Sequence, residues 1–261
     1  MSVLDKIEEK GLLHYYDLCI SKKDWSQGDL KKALDFIAQQ YSAGHISNML
    51  EIGCGVGNIV PHLPTGLQYF GLDPTEYSIQ QAHATYPQYD FKVGYAENLP
   101  FPDSSFDLVY SFQTLQMFRD PRGALKEITR VIRPGGYALF IAPNLECPWS
   151  HLNSIRHYSY SQKFILALKR FKDLALRFFG MSSFRLIPQT YVEAAGRFEK
   201  KDDDLKYLVS TREVMRLFKS LAFRNIATKK SERTWMRCIG PLRYYRGGMY
   251  LGMQKHNAIE S

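Results

Sequence analysis

From about residue 46 the chain leaves helical spacing for short β-rich runs separated by stretches of helical period, and this alternation restricts it to a parallel α/β sheet. The runs predict strands over 48–53, 68–73, 89–93, 106–112 and 137–142, with helices over 59–63, 77–86 and 122–131 between them. The last helix runs into Ile132-Arg133-Pro134-Gly135-Gly136, where a proline and two glycines stop a helix and turn the chain toward the next strand. With 45% hydrophobic and 23% charged residues in a chain of 261, there is apolar material for a core and too little charge for disorder.

Where the first strand turns toward the first helix the sequence reads Glu51-Ile52-Gly53-Cys54-Gly55-Val56-Gly57-Asn58. Glycines at such a turn let backbone approach a ligand closely and present amides at a helix start. The dinucleotide pattern G-x-G-x-x-G requires glycine where Asn58 stands, which weakens a nicotinamide reading. Asp73 ends the second strand 20 residues after Gly53, a spacing suited to a carboxylate that accepts both ribose hydroxyls of a nucleoside laid over the strand ends.

Three blocks in order, LEIGCGVGN with GLDPTEYSI, then VGYAENLPFPDSSFDLVYSF, then DPRGALKEITRVIRPGGYALFIAPN, resemble the class I S-adenosylmethionine-dependent methyltransferases of the small-molecule type 11 family. The resemblance implies a Rossmann-like, doubly wound seven-stranded sheet of order 3-2-1-4-5-7-6 with an antiparallel last strand. Strands expected over 225–230 and 250–255, after a helix over 212–220, fit its final hairpin. It also implies that Gly53, Cys54 and Gly55 lie beside the methionine part of the cofactor. Glu51 would hold the turn and the amino group, and Asp73 the ribose. By the same resemblance Ala96 and Glu97 face adenine, while Ser111, Phe112 and Gln113 follow the fourth strand beside the methionine. Where the family often writes Gly-Asp-Ala this chain has Gly94-Tyr95-Ala96, so Glu97 or a backbone carbonyl must meet the adenine amino group, with the Tyr95 ring over the adenine edge.

The implied reaction is direct displacement of a methyl group to O, N or C of a small molecule, with a lipid, a quinone precursor or a natural-product scaffold among the candidates. Positioning alone can supply roughly 7–11 kcal/mol of such a barrier, and a general base adds on the order of 10²–10⁴ in rate. Relatives often carry histidine after the fourth strand, where this chain reads Gln113-Thr114-Leu115-Gln116. Candidate bases must come from His151, His157, Tyr158, Tyr191 and the pair Tyr15 and Tyr16, and Tyr15 and Tyr16 suit closing the cofactor pocket better than taking a proton.

Charge divides the chain. Residues 1–144 hold 12 Lys+Arg against 16 Asp+Glu, and residues 145–261 hold 22 against 10. A basic half suggests an anionic partner: a phosphorylated substrate, a lipid surface or a nucleic acid. Residues 145–210 read as a basic, aromatic substrate-cap insertion in one methyltransferase domain over 1–261, preceded by a helical lead-in over 1–45 that carries Tyr15, Tyr16 and Trp25. Within the insertion, 161–180 recurs apolar at three- and four-residue steps (Phe164, Leu168, Phe171, Ala175, Phe178), with Lys163, Lys169, Arg170, Lys172 and Arg177 among them. That pattern suits a lid, a membrane-surface helix or a face of ordinary core. Four scattered cysteines, an acidic start and no long apolar run point to a reduced, cytoplasmic protein, soluble or peripheral to a membrane. An RNA methyltransferase and a non-catalytic cofactor-binding protein are the alternatives; the first lacks the Asn/Asp-Pro-Pro-aromatic segment that holds a flipped adenine, and the second has no reason to keep both the glycine turn and Asp73.

Overall fold

The computed structural model describes residues 25–143, 211–228 and 248–256, together with 159–161, 164–165, 168, 171–172, 185–186 and 207–208. Five strands, β1 (Asn48–Ile52), β2 (Gln68–Asp73), β3 (Asp90–Val93), β4 (Phe106–Phe112) and β5 (Ile132–Pro143), pair in parallel. A two-residue antiparallel pair follows, β6 (Arg185–Leu186) with β7 (Tyr207–Leu208), and then β8 (Phe223–Thr228) and β9 (Gly248–Lys255). The sheet order is β3-β2-β1-β4-β5-β9-β8, with β9 antiparallel to both neighbours. Setting the small pair aside, this is the expected 3-2-1-4-5-7-6 order.

The helices α1 (Gly28–Ser42), α2 (Glu76–Thr85), α3 (Pro121–Val131) and α4 (Thr211–Ser220) cover the sheet. Strand alternation divides the core in two. Met49, Leu108, Tyr110 and Leu139 face Ala33 and Ile37 of α1, while Leu50, Val109, Ala138 and Phe140 face Leu125 and Ile128 of α3 and Val214 and Phe218 of α4. All of β4 is buried, as a central parallel strand covered on both faces must be. In α3 the buried residues Ala124, Leu125, Ile128 and Val131 recur at helical spacing; Pro121 starts the helix, and the Asp120 carboxylate caps it by accepting from the Arg122 amide at 3.0 Å.

Three local expectations are corrected. The helix expected over 59–63 is a single 3-10 turn, Val60–His62, because Leu63 precedes Pro64 and is held extended at ψ 151°. The Ile132–Gly136 segment is not a free turn between helix and strand. Its pairing jumps from Phe106↔Ile132 to Leu108↔Tyr137, so Pro134, Gly135 and Gly136 form an irregularity inside β5. The strand expected over 225–230 begins at Phe223, where the left-handed Ala222 (φ 62°) ends the turn out of α4. Of the lead-in expected over 1–45, the described part is Trp25 onward, and Tyr15 and Tyr16 lie outside the described residues.

The amino-terminal ends of β1 and β4 are tied by Asp107, a buried carboxylate that accepts from the Asn48 amide at 3.2 Å and the Ser47 hydroxyl at 2.9 Å and pairs with Arg133 Nε at 2.6 Å. Removing it takes the acceptor from the half-buried Asn48 amide and from the exposed Ser47 and Arg133 groups, which water can reach in part, and a hydrogen bond to a charged group is worth about 1.5–3 kcal/mol. Asp107→Ala is therefore expected to lower unfolding free energy in urea by about 1.5–3 kcal/mol. A change under 1 kcal/mol would show that water replaces the carboxylate.

Candidate cofactor site

Parallel strands deliver their carboxyl ends to one edge, and here Ile52 of β1 stands level with Leu72 of β2 and Ser111 of β4. The chain leaving β1 turns sharply through Gly53, Gly55 and Gly57, all left-handed at φ 76°, 52° and 80°. A side chain at Gly53 would also overlap the Thr114 methyl group, so the position requires glycine on two counts. Four amides of this turn, those of Gly53, Cys54, Gly55 and Gly57, are bonded within the protein rather than left open. Gly53 and Cys54 donate to the Leu72 carbonyl at 2.7 and 3.1 Å, and Gly57 donates to the Cys54 carbonyl at 3.0 Å. With only a 3-10 turn following, no α-helix start presents unpaired amides to a ligand.

Asp73 closes this arrangement from β2. Its Oδ2 accepts from the Gly55 amide and its Oδ1 from the Thr75 amide, both at 3.0 Å. An ionised carboxylate has about four lone-pair sites, so two bonds leave acceptor capacity on each oxygen. Burial raises the Asp73 pKa, and the bonds from Gly55 and Thr75 work against that rise.

Glu51 lies one layer deeper. It is buried, its Oε2 accepts from the Tyr69 hydroxyl at 2.5 Å, and the Tyr110 hydroxyl is buried without a hydrogen-bond partner among the described residues. Burial pushes the Glu51 carboxyl from 4.5 up to about 8; the Tyr69 bond opposes the shift and the nearby Asp73 adds to it. Cys54 is buried, and its thiol donates to the Gly55 carbonyl at 3.5 Å.

On the β4 side, Thr114 Oγ1 donates to the Ile52 carbonyl at 3.1 Å and pairs with Ser111 Oγ at 2.5 Å, fastening the end of β4 to the glycine turn. Gln113 is exposed and left-handed (φ 59°), a strained conformation for a side-chain-bearing residue that costs about 1–3 kcal/mol. Its amide is held by the Ile141 carbonyl at 2.6 Å, and its carbonyl accepts from Gln116 Nε2 at 2.5 Å. Gln116 Oε1 is buried with no hydrogen-bond partner among the described residues, and the same holds for Asn58 Nδ2 beside the glycine turn.

The third side comes from the loop after β3. The Tyr95 ring lies under the Arg119 guanidinium at 4.1 Å, and its hydroxyl accepts from Arg119 Nη2 at 3.0 Å. Glu97 Oε1 accepts from the amides of Arg119 and Asp120 at 2.5 and 3.0 Å, so this carboxylate is engaged in fixing the start of α3. Ala96 is buried beneath them.

The structure thus brings together Glu51, Gly53, Cys54, Gly55 and Asp73 with Ser111 and Phe112, and it places Tyr95, Ala96 and Glu97 on the adjoining loop. His151, His157, Tyr158, Tyr191 and Tyr16 lie outside the described residues. Two contributors were not singled out from sequence. Thr114 shows its part only as the neighbour that Gly53 must accommodate. His62 stacks on Trp25 at 4.8 Å, and Trp25 in turn lies 6.4 Å from Phe112; no spacing in the sequence links these three aromatic rings.

Residues 50–140 match the family model described as a methyltransferase domain. Over 98 residues the chain is 36% identical to a probable S-adenosylmethionine-dependent methyltransferase of Mycolicibacterium smegmatis, a match spanning 37% of this chain and 38% of that protein. It is 38% identical over 105 residues to the phthiotriol/phenolphthiotriol dimycocerosates methyltransferase of Mycobacterium tuberculosis, spanning 38% of this chain and 39% of the relative. The chain therefore matches less than half the length of either relative. The fold is shared with an S-adenosylmethionine-dependent methyltransferase from Mesorhizobium loti at TM-score 0.56, with 16% identity, over 89% of this chain and all of that one. Residues 50–140, which run from β1 to β5 of the sheet, are thus similar to a methyltransferase domain.

The buried Glu51 gives this site a pH signature. In the folded protein it keeps its proton up to about pH 8, whereas in the unfolded chain it ionises near 4.5. Between these values the folded state holds more protons, so Glu51 makes stability fall as pH rises through that window. The wild-type chain is expected to lose on the order of a few kcal/mol in urea unfolding from pH 5 to pH 8. Glu51→Gln should flatten that slope, and equal slopes in the two proteins would remove Glu51 as its source.

Proposed function

We propose that this chain transfers the methyl group of S-adenosylmethionine to O, N or C of a small amphiphilic acceptor. The observation that carries the reading is Asp73, a carboxylate at the end of β2 that braces the left-handed glycine turn through Gly55 and keeps an acceptor site on each oxygen. Those sites suit the two ribose hydroxyls of the donor. The unpartnered Asn58 amide and the close approach of Thr114 to Gly53 fit a cradle for its amino-acid end. Bound there, S-adenosylmethionine would supply a methyl group on a sulfonium, open to in-line displacement.

The protein's own contribution is chiefly placement. The Tyr69–Glu51 pair sits beneath the turn as a buried acid, and the ammonium of the donor's amino-acid end would favour its ionised form. Tyr95 and Ala96 would border the adenine, and the backbone of their loop would meet its amino group, since Glu97 is engaged by Arg119 and Asp120. Ser111, Phe112 and Gln113 would line the donor's reactive end, with the strained Gln113 at the tip of β4 nearest the acceptor. Gln113 and Gln116 would offer amides to that acceptor rather than a base, and His151, His157, Tyr158, Tyr191 and Tyr16 remain the proposed sources of one.

The segment 145–210, which leaves the sheet after β5 and returns through α4, is proposed as the acceptor cap of a single domain. Its strand β7 lies beside the turn at Leu115–Met117. An amphiphilic acceptor is favoured by the likeness to the phthiotriol/phenolphthiotriol dimycocerosates methyltransferase and by the basic carboxyl-terminal half. We place the protein in the cytoplasm, in peripheral contact with a membrane; no helix among the described residues is long and apolar enough to cross one.

Two measurements test this. Titration calorimetry with S-adenosylhomocysteine should show Asp73→Asn binding about tenfold or more weaker than wild type, the loss expected for a charged hydrogen-bond pair. Unchanged affinity would sink the assignment. Donor carrying a labelled methyl group, incubated with the protein and cell extract, should leave label in the organic-solvent phase; label confined to the aqueous phase or to RNA would refute the amphiphilic acceptor.

A further inference from the structure

Nine large apolar side chains are exposed among the described residues, and five of them fall in one short run: Tyr160, Phe164, Ile165, Leu168 and Phe171. The described positions of 160–172 beyond Ser159 are helical. At 100° per residue, Tyr160, Phe164, Leu168 and Phe171 share one stripe and Ile165 flanks it. A helix that covered the sheet as ordinary core would bury this stripe. Instead Phe164, Leu168 and Ile165 are 65%, 54% and 51% exposed.

We propose that this helical run docks flat on an anionic membrane surface, with the apolar stripe entering the boundary between headgroups and acyl chains. The occupant is argued from charge. The sequence interleaves Lys163, Lys169, Arg170 and Lys172 with the stripe, and Asp173 is the one acid in 161–180. A second copy of the chain would set these cations against each other, whereas a bilayer with acidic headgroups meets both the basic and the apolar sides. Aromatic rings such as Tyr160, Phe164 and Phe171 suit that boundary. The inference rests on the reading of an amphiphilic acceptor for its purpose, since a docked enzyme would meet such a molecule where it dissolves. It is measured without any methyl transfer.

The test is sedimentation of the full chain with vesicles of phosphatidylcholine alone or mixed with phosphatidylglycerol. Anionic vesicles should bind the protein about tenfold or more tightly than neutral ones, and high salt should weaken that binding. The double variant Phe164→Asp with Leu168→Asp should lose the binding about tenfold while its affinity for S-adenosylhomocysteine by calorimetry stays unchanged. Should that variant fold poorly, Lys169→Glu with Lys172→Glu should abolish the preference for anionic lipid instead. Equal binding to both kinds of vesicle, or variants that bind as wild type does, would overturn the proposal. So would a wild-type dimer in lipid-free solution that the double variant converts to monomer, because a second copy would then cover the stripe. Vesicle binding that survives alongside a failure to bind S-adenosylhomocysteine would support the docking surface and count against the methyltransferase reading alone.

Discussion

The carboxylate of Asp73 holds the site together, because it bonds at once to the Gly55 amide in the turn after β1 and to the Thr75 amide ahead of α2. Two adjacent strand ends are thereby set at a fixed separation. The turn can approach so closely because Gly53, Gly55 and Gly57 occupy left-handed backbone that most residues avoid. Thr114 completes the brace from β4 through the Ile52 carbonyl. Asp73, Gly53 and Thr114 make one mechanical unit across β2, β1 and β4, and the proposed donor site is the cleft they define.

Strand ends braced in this way suit a displacement reaction, which gains most from alignment. The buried Tyr69–Glu51 pair adds a second property, a carboxyl that stays neutral in the folded protein until it gains a cationic neighbour. The proposed acceptor side is built differently. Gln113 and Gln116 present amides where a base was sought, the Arg119–Tyr95 stack borders the opposite loop, and β7 of the long connection lies beside the same turn. Conserving the sheet while varying these surroundings is how one fold accommodates many acceptors.

Much of the sheet was legible because strands of a parallel sheet write themselves as short β-rich runs between helical stretches; β4, buried along its whole length, and β2 both fall on the expected residues. The strand order came from resemblance, since periodicity says which residues form strands and not which strands are neighbours. The expectations that failed did so at prolines and glycines. Pro64 cut a helix to a single turn, and Pro134-Gly135-Gly136, a plausible stop, was absorbed into β5 because its flanks pair with β4. Here long-range pairing outweighed local preference.

The sequence alone determined the α/β class, the glycine turn and the placing of Asp73 at a strand end, for these depend on neighbours close along the chain. Only the tertiary structure decided that the turn's amides are bonded inward, that Glu97 serves the backbone of Arg119 and Asp120, and that Trp25, His62 and Phe112 meet. It also decided that Phe164 and Leu168 face outward. Each of these depends on groups brought together from distant parts of the chain, and which partner a polar group finds, or whether an apolar stripe is covered, is set by packing that no local pattern encodes.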